Sequence, residues 1–441
     1  MPIDLSRLTA LMASHDAVRL YVKRLAPNDN SKNQVYFGPG FGAINIIPNK
    51  GVHAEQSGSR TILKAAMDMA WMDDAGTLYD APGSQMILYP QYPEVRLSGF
   101  LQRCRKAPSK IMASRAAGRV LFLGVRNDGR VLGYAAPSDS AVVRELDTLG
   151  ELPAAGVFFE LVIGPTGERV AARDSLLAQL RRIHLLDWID SKRLRVDGSL
   201  DPCNASNCGG YTLEAEFGVT PNGFAEPDFM GWEIKQHGVP DFSRPGQGSP
   251  VTLMTPEPTG GYYRDAGVEA FIRRYGYPDT LGRPDRLNVG GIYRSGVRAP
   301  RTGLTLLLDG YDVEKKAIVD ISKGVTLLTD SGDVAAVWHY AGMIEHWKRK
   351  HDRAAYVPSE CRTEPSRRYR YDRFVSLGEG ADFLLVLAAF AHGQVYYDPG
   401  IKLEQASSRT PRVKRRSQFR MKWENLGTLY RKMEVVDVLA V

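Results

Sequence analysis

The 441-residue chain is 43% hydrophobic and 24% charged, long enough to bury two cores and longer than one core commonly serves, so two domains are expected. Lys and Arg number 57 against 50 Asp and Glu, and a net charge of +7 suits a polyanionic partner only where the basic residues cluster. The start, Met1-Pro-Ile-Asp-Leu-Ser-Arg7, lacks the basic-then-apolar order of a leader, and the longest apolar run, residues 383–391, is too short to span a bilayer, so a cytoplasmic location is expected.

Basic clusters do occur. Residues 101–119 and 409–420 each carry six basic residues and no acid, a pattern that fits either a solvated face or a phosphate contact. The cysteines, Cys104, Cys203, Cys208 and Cys361, lack zinc-site spacing and are too few for a disulfide framework, so all four are expected as thiols of a reducing compartment.

In chain order, residues 4–20 show apolar positions at helical spacing, which predicts one amphipathic helix. Strands are predicted at 20–25, 43–47, 86–89, 120–125, 131–135 and 157–162, and Asn127-Asp-Gly129 is a hairpin signal between two of them. Short strands broken by turns predict an all-β barrel. Lys23, Arg24, Lys32 and Arg96 suit phosphate or guanine contacts, while Asn28, Asn33 and Gln34 carry amides able to read adenine edges. Asn28-Asp-Asn-Ser31 fits a plain turn equally well.

Tyr21-Val-Lys-Arg-Leu-Ala-Pro-Asn-Asp29, followed by Asn33-Gln-Val35, resembles the opening of EcoRII-type N-terminal effector-binding domains. The resemblance implies a DNA-binding pseudobarrel over residues 1–165 that grips the duplex with two arms. Glu94-Val-Arg96 resembles the second arm, with valine where that family carries lysine.

Gly164-Pro-Thr-Gly-Glu168 is a polar turn cluster and the expected domain boundary, and residues 171–194 predict a helix with Leu176, Leu177, Leu180, Ile183 and Leu186 on one stripe. Further on, Glu226-Pro-Asp-Phe-Met-Gly-Trp-Glu-Ile-Lys-Gln-His237 alternates in polarity. In a strand, Glu233 and Lys235 then share one face while Trp232 and Ile234 enter a core, and Gly231 permits a tight connection back to Asp228. Asp228, Glu233 and the Ile234 carbonyl form an oxygen set suited to Mg2+, although Glu-x-Lys on an edge strand also fits a solvated ion pair.

Pro227-Asp228 with Glu233-Ile-Lys235 resembles the PD-(D/E)xK nuclease signature, and the surrounding blocks resemble the MvaI/BcnI family of type II restriction endonucleases. Gly210-Tyr-Thr-Leu-Glu214 is similar to the family's Gly-x-Thr-Phe-Glu helix, His237 follows Lys235 at the family's spacing, and Thr252-Leu-Met-Thr-Pro-Glu-Pro-Thr259 is similar to its Thr-Leu-Phe-Thr-Lys-Ser-Pro-Thr segment. Gln418-Phe-Arg-Met-Lys-Trp-Glu-Asn-Leu426 resembles its base-reading stretch. The resemblance covers residues 201–441 and implies an α/β restriction-endonuclease-like domain over 170–441. It implies catalysis by Asp228, Glu233 and Lys235, support from Glu214, a place for His237 near the scissile phosphate, and base contacts from Asp398 and Arg420. Two family histidines are replaced by Val413 and Arg415, and Arg415 suits guanine O6 and N7.

Strands are also predicted at 304–308, 317–321 and 325–328, a helix at 333–351, and a buried strand or helix at 382–391. Gly38-Pro-Gly-Phe-Gly42 lacks the context of a dinucleotide loop, and the eight His do not space as metal ligands. The combined resemblance implies a monomeric, Mg2+-dependent enzyme cutting double-stranded DNA at 5′-CCWGG, with a DNA methyltransferase encoded nearby. A DNA-binding regulator with an inactive nuclease fold and a repair or nicking nuclease are the competing classes.

Overall fold

A computed structural model describes residues 3–57, 60–161, 163, 172–205, 207–220, 228–347 and 352–440. The chain divides into two compact units, Met1–Ala171 and Ala172–Val441. The turn cluster at 164–168, together with Glu226 and Pro227, lies outside the described residues.

The first unit is built on two sheets. Seven strands run in the order Ala154–Ala155, Phe158–Leu161, Ala17–Arg24, Val120–Arg126, Val131–Ala136, Met69–Met72 and Leu78–Asp80. Five more follow the order Val35–Pro39, Glu94–Ser98, Gln85–Tyr89, Arg60–Ala66 and Val52–Ser57. The Asn127-Asp-Gly129 turn does join two paired strands, with Val125 opposite Val131. Leu20, Val22, Phe122 and Leu132 pack with Leu8 and Met12 of one helix and Val142, Val143 and Leu146 of another.

Two expectations fail here. The first helix spans only Leu5–Ser14, because Asp16 takes φ 61° and the chain turns into the Ala17–Arg24 strand. Alternating and helical spacing overlap where a strand follows a helix without a loop. Residues Ala43–Ile46 form a helical turn instead of a strand, since four apolar residues are too few to display a period.

The second unit centres on a mixed sheet. Its ten-residue strand Arg353–Arg362 pairs in parallel with Glu233–Gly238 and antiparallel with Arg368–Tyr371 and Phe374–Glu379, which are flanked in turn by Ile189–Asp190 and Lys432–Asp437. Helices Ala172–Leu185 and Cys208–Glu216 bury Leu176, Leu177, Leu180, Ile183 and Leu213 with Trp232, Ile234, Ala355, Val357 and Leu377. Burying a side chain of this size contributes about 1.5–3 kcal/mol, so Trp232 and Ile234 lock the register of the strand that carries Glu233 and Lys235.

Three further expectations are corrected. The helix predicted to Leu194 stops at Leu185, Asp187 adopts φ 53°, and Leu186 is exposed. The helix predicted over 333–351 is a strand, Val334–His339, followed by a helix, Tyr340–Trp347, with 348–351 outside the described residues. Cys203 and Cys208 are joined in a disulfide with Cα atoms 5.7 Å apart, so only Cys104 and Cys361 are free thiols. Cys208 opens the Cys208–Glu216 helix and Cys203 lies just beyond the Leu200–Pro202 strand, a proximity that spacing alone does not reveal. Residues Phe383–Ala391, left open as strand or helix, are helical, with Asp382 Oδ1 capping the Leu384 N–H at 3.0 Å.

Candidate active site

A tight turn creates the site. Phe229 and Trp232 exchange backbone hydrogen bonds of 2.9 and 2.8 Å across Met230 and Gly231, whose φ values of 46° and 86° match a type I′ turn. Gly231 tolerates that conformation because it has no Cβ. The turn brings Asp228 back beside the strand, where its Oδ2 accepts the Ile234 N–H at 2.9 Å. One residue earlier, Glu233 is buried, and its Oε1 lies 3.1 Å from Lys235 Nζ.

Electrostatics tie the three side chains together. Burial pulls the Lys235 pKa down, but Glu233, Tyr356 and Asp228 outweigh it and hold the ammonium above its ordinary range. Tyr356 sits opposite Lys235 in the parallel pair and hydrogen-bonds Tyr430 at 2.8 Å. Gly378 makes room for this pair, since a Cβ there would lie 2.7 Å from the Tyr430 ring. Neither tyrosine was singled out by sequence, because a buried phenol carries no motif and is found only through strand register.

The donor set fits a hard divalent cation. Two carboxylates and the Ile234 carbonyl are oxygen donors, and Mg2+ completes its shell with water instead of demanding an all-protein cage. Among the described residues no three His, Cys, Asp or Glu side chains cluster as a metal site.

His237 shares the Glu233 and Lys235 face, yet it is committed elsewhere. Its Nε2 meets the Pro245 carbonyl at 2.9 Å, its ring stacks 4.2 Å from Trp423, and burial lowers its pKa against the raising effect of backbone hydrogen bonds. A neutral, stacked imidazole positions the strand end. Glu214 lies on the helix covering the opposite, Trp232-bearing face, near Tyr371, whose phenol is raised by burial first and by Tyr369, Glu216 and Glu214 after it.

The base-reading candidates lie on and beside a three-stranded sheet, in the order Val251–Met254, Phe419–Met421 and Val395–Tyr397, with Arg420 on the central strand and Asp398 just past its neighbour. Arg420 Nη1 binds Asp398 Oδ2 at 2.8 Å and Nη2 donates to the Pro250 carbonyl at 2.6 Å, so Asp398 orients the guanidinium. Arg415 is exposed nearby on the approach to that strand.

In the first unit, two segments converge. Val35–Pro39 pairs with Glu94–Ser98, setting Tyr36 opposite Arg96. Arg96 is held by Glu94 at 2.8 Å and donates to the Asn33 carbonyl at 3.2 Å, while Gln34 is fixed by Ser98 and Tyr89. Asn28, Lys32 and Asn33 stand exposed on the adjoining loop, and Arg24 is exposed but paired with Asp147 at 2.6 Å.

Lys23 is a correction. Where an exposed phosphate contact is expected, it is buried and lies 3.3 Å from the buried Asp29, so its charge ties down the loop. Arg119, the last member of the basic run, is likewise buried and donates to the carbonyls of Ala26, Asp29, Ile111 and Ala116. Lys23→Ala leaves Asp29 without its cation and is expected to cost about 3 kcal/mol of stability. Thermal melting without DNA checks this, and an unchanged melting temperature contradicts the assignment.

Residues 177–430 match the MvaI/BcnI restriction endonuclease family, and the chain belongs to that family. Its members are restriction enzymes, nucleases that act on DNA. Among solved structures, the chain is similar to restriction endonuclease MvaI with its cognate DNA substrate (18% identity, TM-score 0.44, 61% of this chain and 99% of that one). It is also similar to MvaI without DNA (16%, TM-score 0.33, 62% and 100%) and to the B3 domain of UbaLAI restriction endonuclease with cognate DNA (18%, TM-score 0.23, 35% and 99%). Superpositions this loose carry no argument, and the family rests on the residues matched. No curated protein matches the chain.

Proposed function

We propose that the chain is a type II restriction endonuclease that hydrolyses both strands of duplex DNA at a short fixed sequence, using Mg2+ held by Asp228, Glu233 and the Ile234 carbonyl. The observation that carries this is the turn that returns Asp228 to a strand on which Glu233 and Lys235 share one face, 3.1 Å apart. When bound, Mg2+ polarises the phosphate and acidifies a coordinated water. Lys235, kept as an ammonium, orients the attacking water and offsets charge building on the phosphate. His237 and Glu214 support the strand from its two faces.

Family resemblance supports 5′-CCWGG as the site, read through Arg420, Arg415 and Asp398. The first unit, an EcoRII-like DNA-binding pseudobarrel in this proposal, binds a second copy of the site through Asn28, Lys32, Asn33, Gln34, Glu94 and Arg96, and the combination of the two domains resembles that of UbaLAI. The enzyme acts as a cytoplasmic monomer paired with a separately encoded methyltransferase. Among the described residues no helix is long and apolar enough to cross a membrane. Chelating divalent ions with EDTA is expected to stop cleavage, and excess Mg2+ to restore it. Sequence-specific cutting that persists in EDTA contradicts the proposed centre.

A further inference from the structure

An acidic side chain close to a basic, DNA-facing stretch is repelled by phosphates unless it meets a hydrogen-bond donor. Glu257 is such a residue. It follows the Val251–Met254 strand, at the end of the sheet where Met254 and Tyr397 both pair with Phe419, where Asp398 follows Tyr397 and Arg415 precedes the Phe419–Met421 strand. Its backbone is fixed there, because the preceding Pro256 carbonyl accepts both Ser417 Oγ at 2.5 Å and Trp338 Nε1 at 3.0 Å.

The side chain is also aimed. Glu257 Oε2 accepts from the hydroxyl of Tyr263, a buried ring braced edge-on against Phe271 at 5.0 Å. Among the described residues, Oε1 has no hydrogen-bond partner, and Glu257 is only half-buried. Arg415 lies close enough to Tyr263 to act on its phenol, so the carboxylate belongs to the same polar group as the exposed arginine.

We infer that Glu257 is a specificity-determining residue whose Oε1 accepts a hydrogen bond from the exocyclic amino group of a base in the major groove, with Tyr263 fixing its angle. Cytosine N4 and adenine N6 are the two donors of that chemistry, and a carboxylate discriminates against guanine O6 and thymine O4, which are acceptors. The inference rests on the proposed nuclease function.

The test is a double-mutant cycle between protein and DNA. Wild-type and Glu257→Ala enzyme, the latter lacking any side-chain acceptor, are assayed on duplexes in which each cytosine of the cleaved site in turn is replaced by its 4-deamino analogue, and each adenine by its 6-deamino analogue. At one position, loss of the amine is expected to lower wild-type kcat/KM about tenfold or more, but Glu257→Ala less than about threefold. Whether that position is a cytosine or an adenine identifies the donor. Equal losses for both enzymes at every position overturn the inference and leave Glu257 as a partner for Tyr263 alone. Should Glu257→Ala not fold, Tyr263→Phe, which keeps the carboxylate, is expected to weaken discrimination at that position only, and a uniform loss overturns the inference. A wild type that cuts a fixed site without any coupling refutes this inference alone. A wild type that neither binds nor cuts any fixed sequence refutes the proposed function and this inference with it.

Discussion

Lys235→Ala is expected to reduce DNA cleavage by about 10²–10³-fold or more while leaving affinity for the cognate duplex within a few-fold. Lys235 lies beside Glu233 and is held charged by Glu233 and Asp228. Its contribution grows as charge builds on the phosphate, and an interaction stronger in the transition state than in the ground state is lost from kcat and not from binding. Asp228→Asn and Glu233→Gln should behave likewise, each removing an oxygen charge from the cation site. Breaking a buried pair also costs stability, so each variant is compared by thermal melting and assayed well below its midpoint. Turnover by folded Lys235→Ala near the wild-type rate removes the mechanism.

Deleting residues 1–165 is expected to give a slower enzyme that accumulates nicked plasmid, whereas the full chain cuts two-site DNA faster than one-site DNA. In the proposed monomer, one centre made of Asp228, Glu233 and Lys235 would serve one phosphate at a time, so the enzyme would nick, reorient and nick again, and could be lost between the steps. A first unit bound to a second site raises the local concentration of the nuclease, up to about millimolar for short tethers, so rebinding outruns escape. The chain divides at Ala171, which leaves the whole second unit in the truncated enzyme. Equal rates on one-site and two-site plasmids, with no nicked intermediate from the truncation, leave the first unit without this role.

Much of the site was legible because strand chemistry is local. The two-residue period of Trp232 to Lys235 places two residues in the core and two together on the other face, and Gly231 marks the turn that returns Asp228. What was not legible depended on partners distant in sequence. Lys23 looked like a phosphate contact until Asp29 was found buried against it, and Tyr356 entered the site only through its register with Lys235. The Cys203–Cys208 bond joins a strand end to a helix start, a pairing that residue spacing does not carry. Helix lengths failed where a strand or turn followed at once, as at Asp16 and Asp187, because apolar periodicity continues across a boundary that backbone geometry sets.

Digestion of a sequenced plasmid by purified protein with Mg2+, with every cut mapped to the nucleotide, tests the central claim most directly. The account predicts paired breaks on both strands at every copy of one short sequence and nowhere else, lost together in Asp228→Asn, Glu233→Gln and Lys235→Ala. Cuts scattered without a common sequence, breaks confined to one strand under all conditions, or site-specific cutting that survives in folded Lys235→Ala would contradict it.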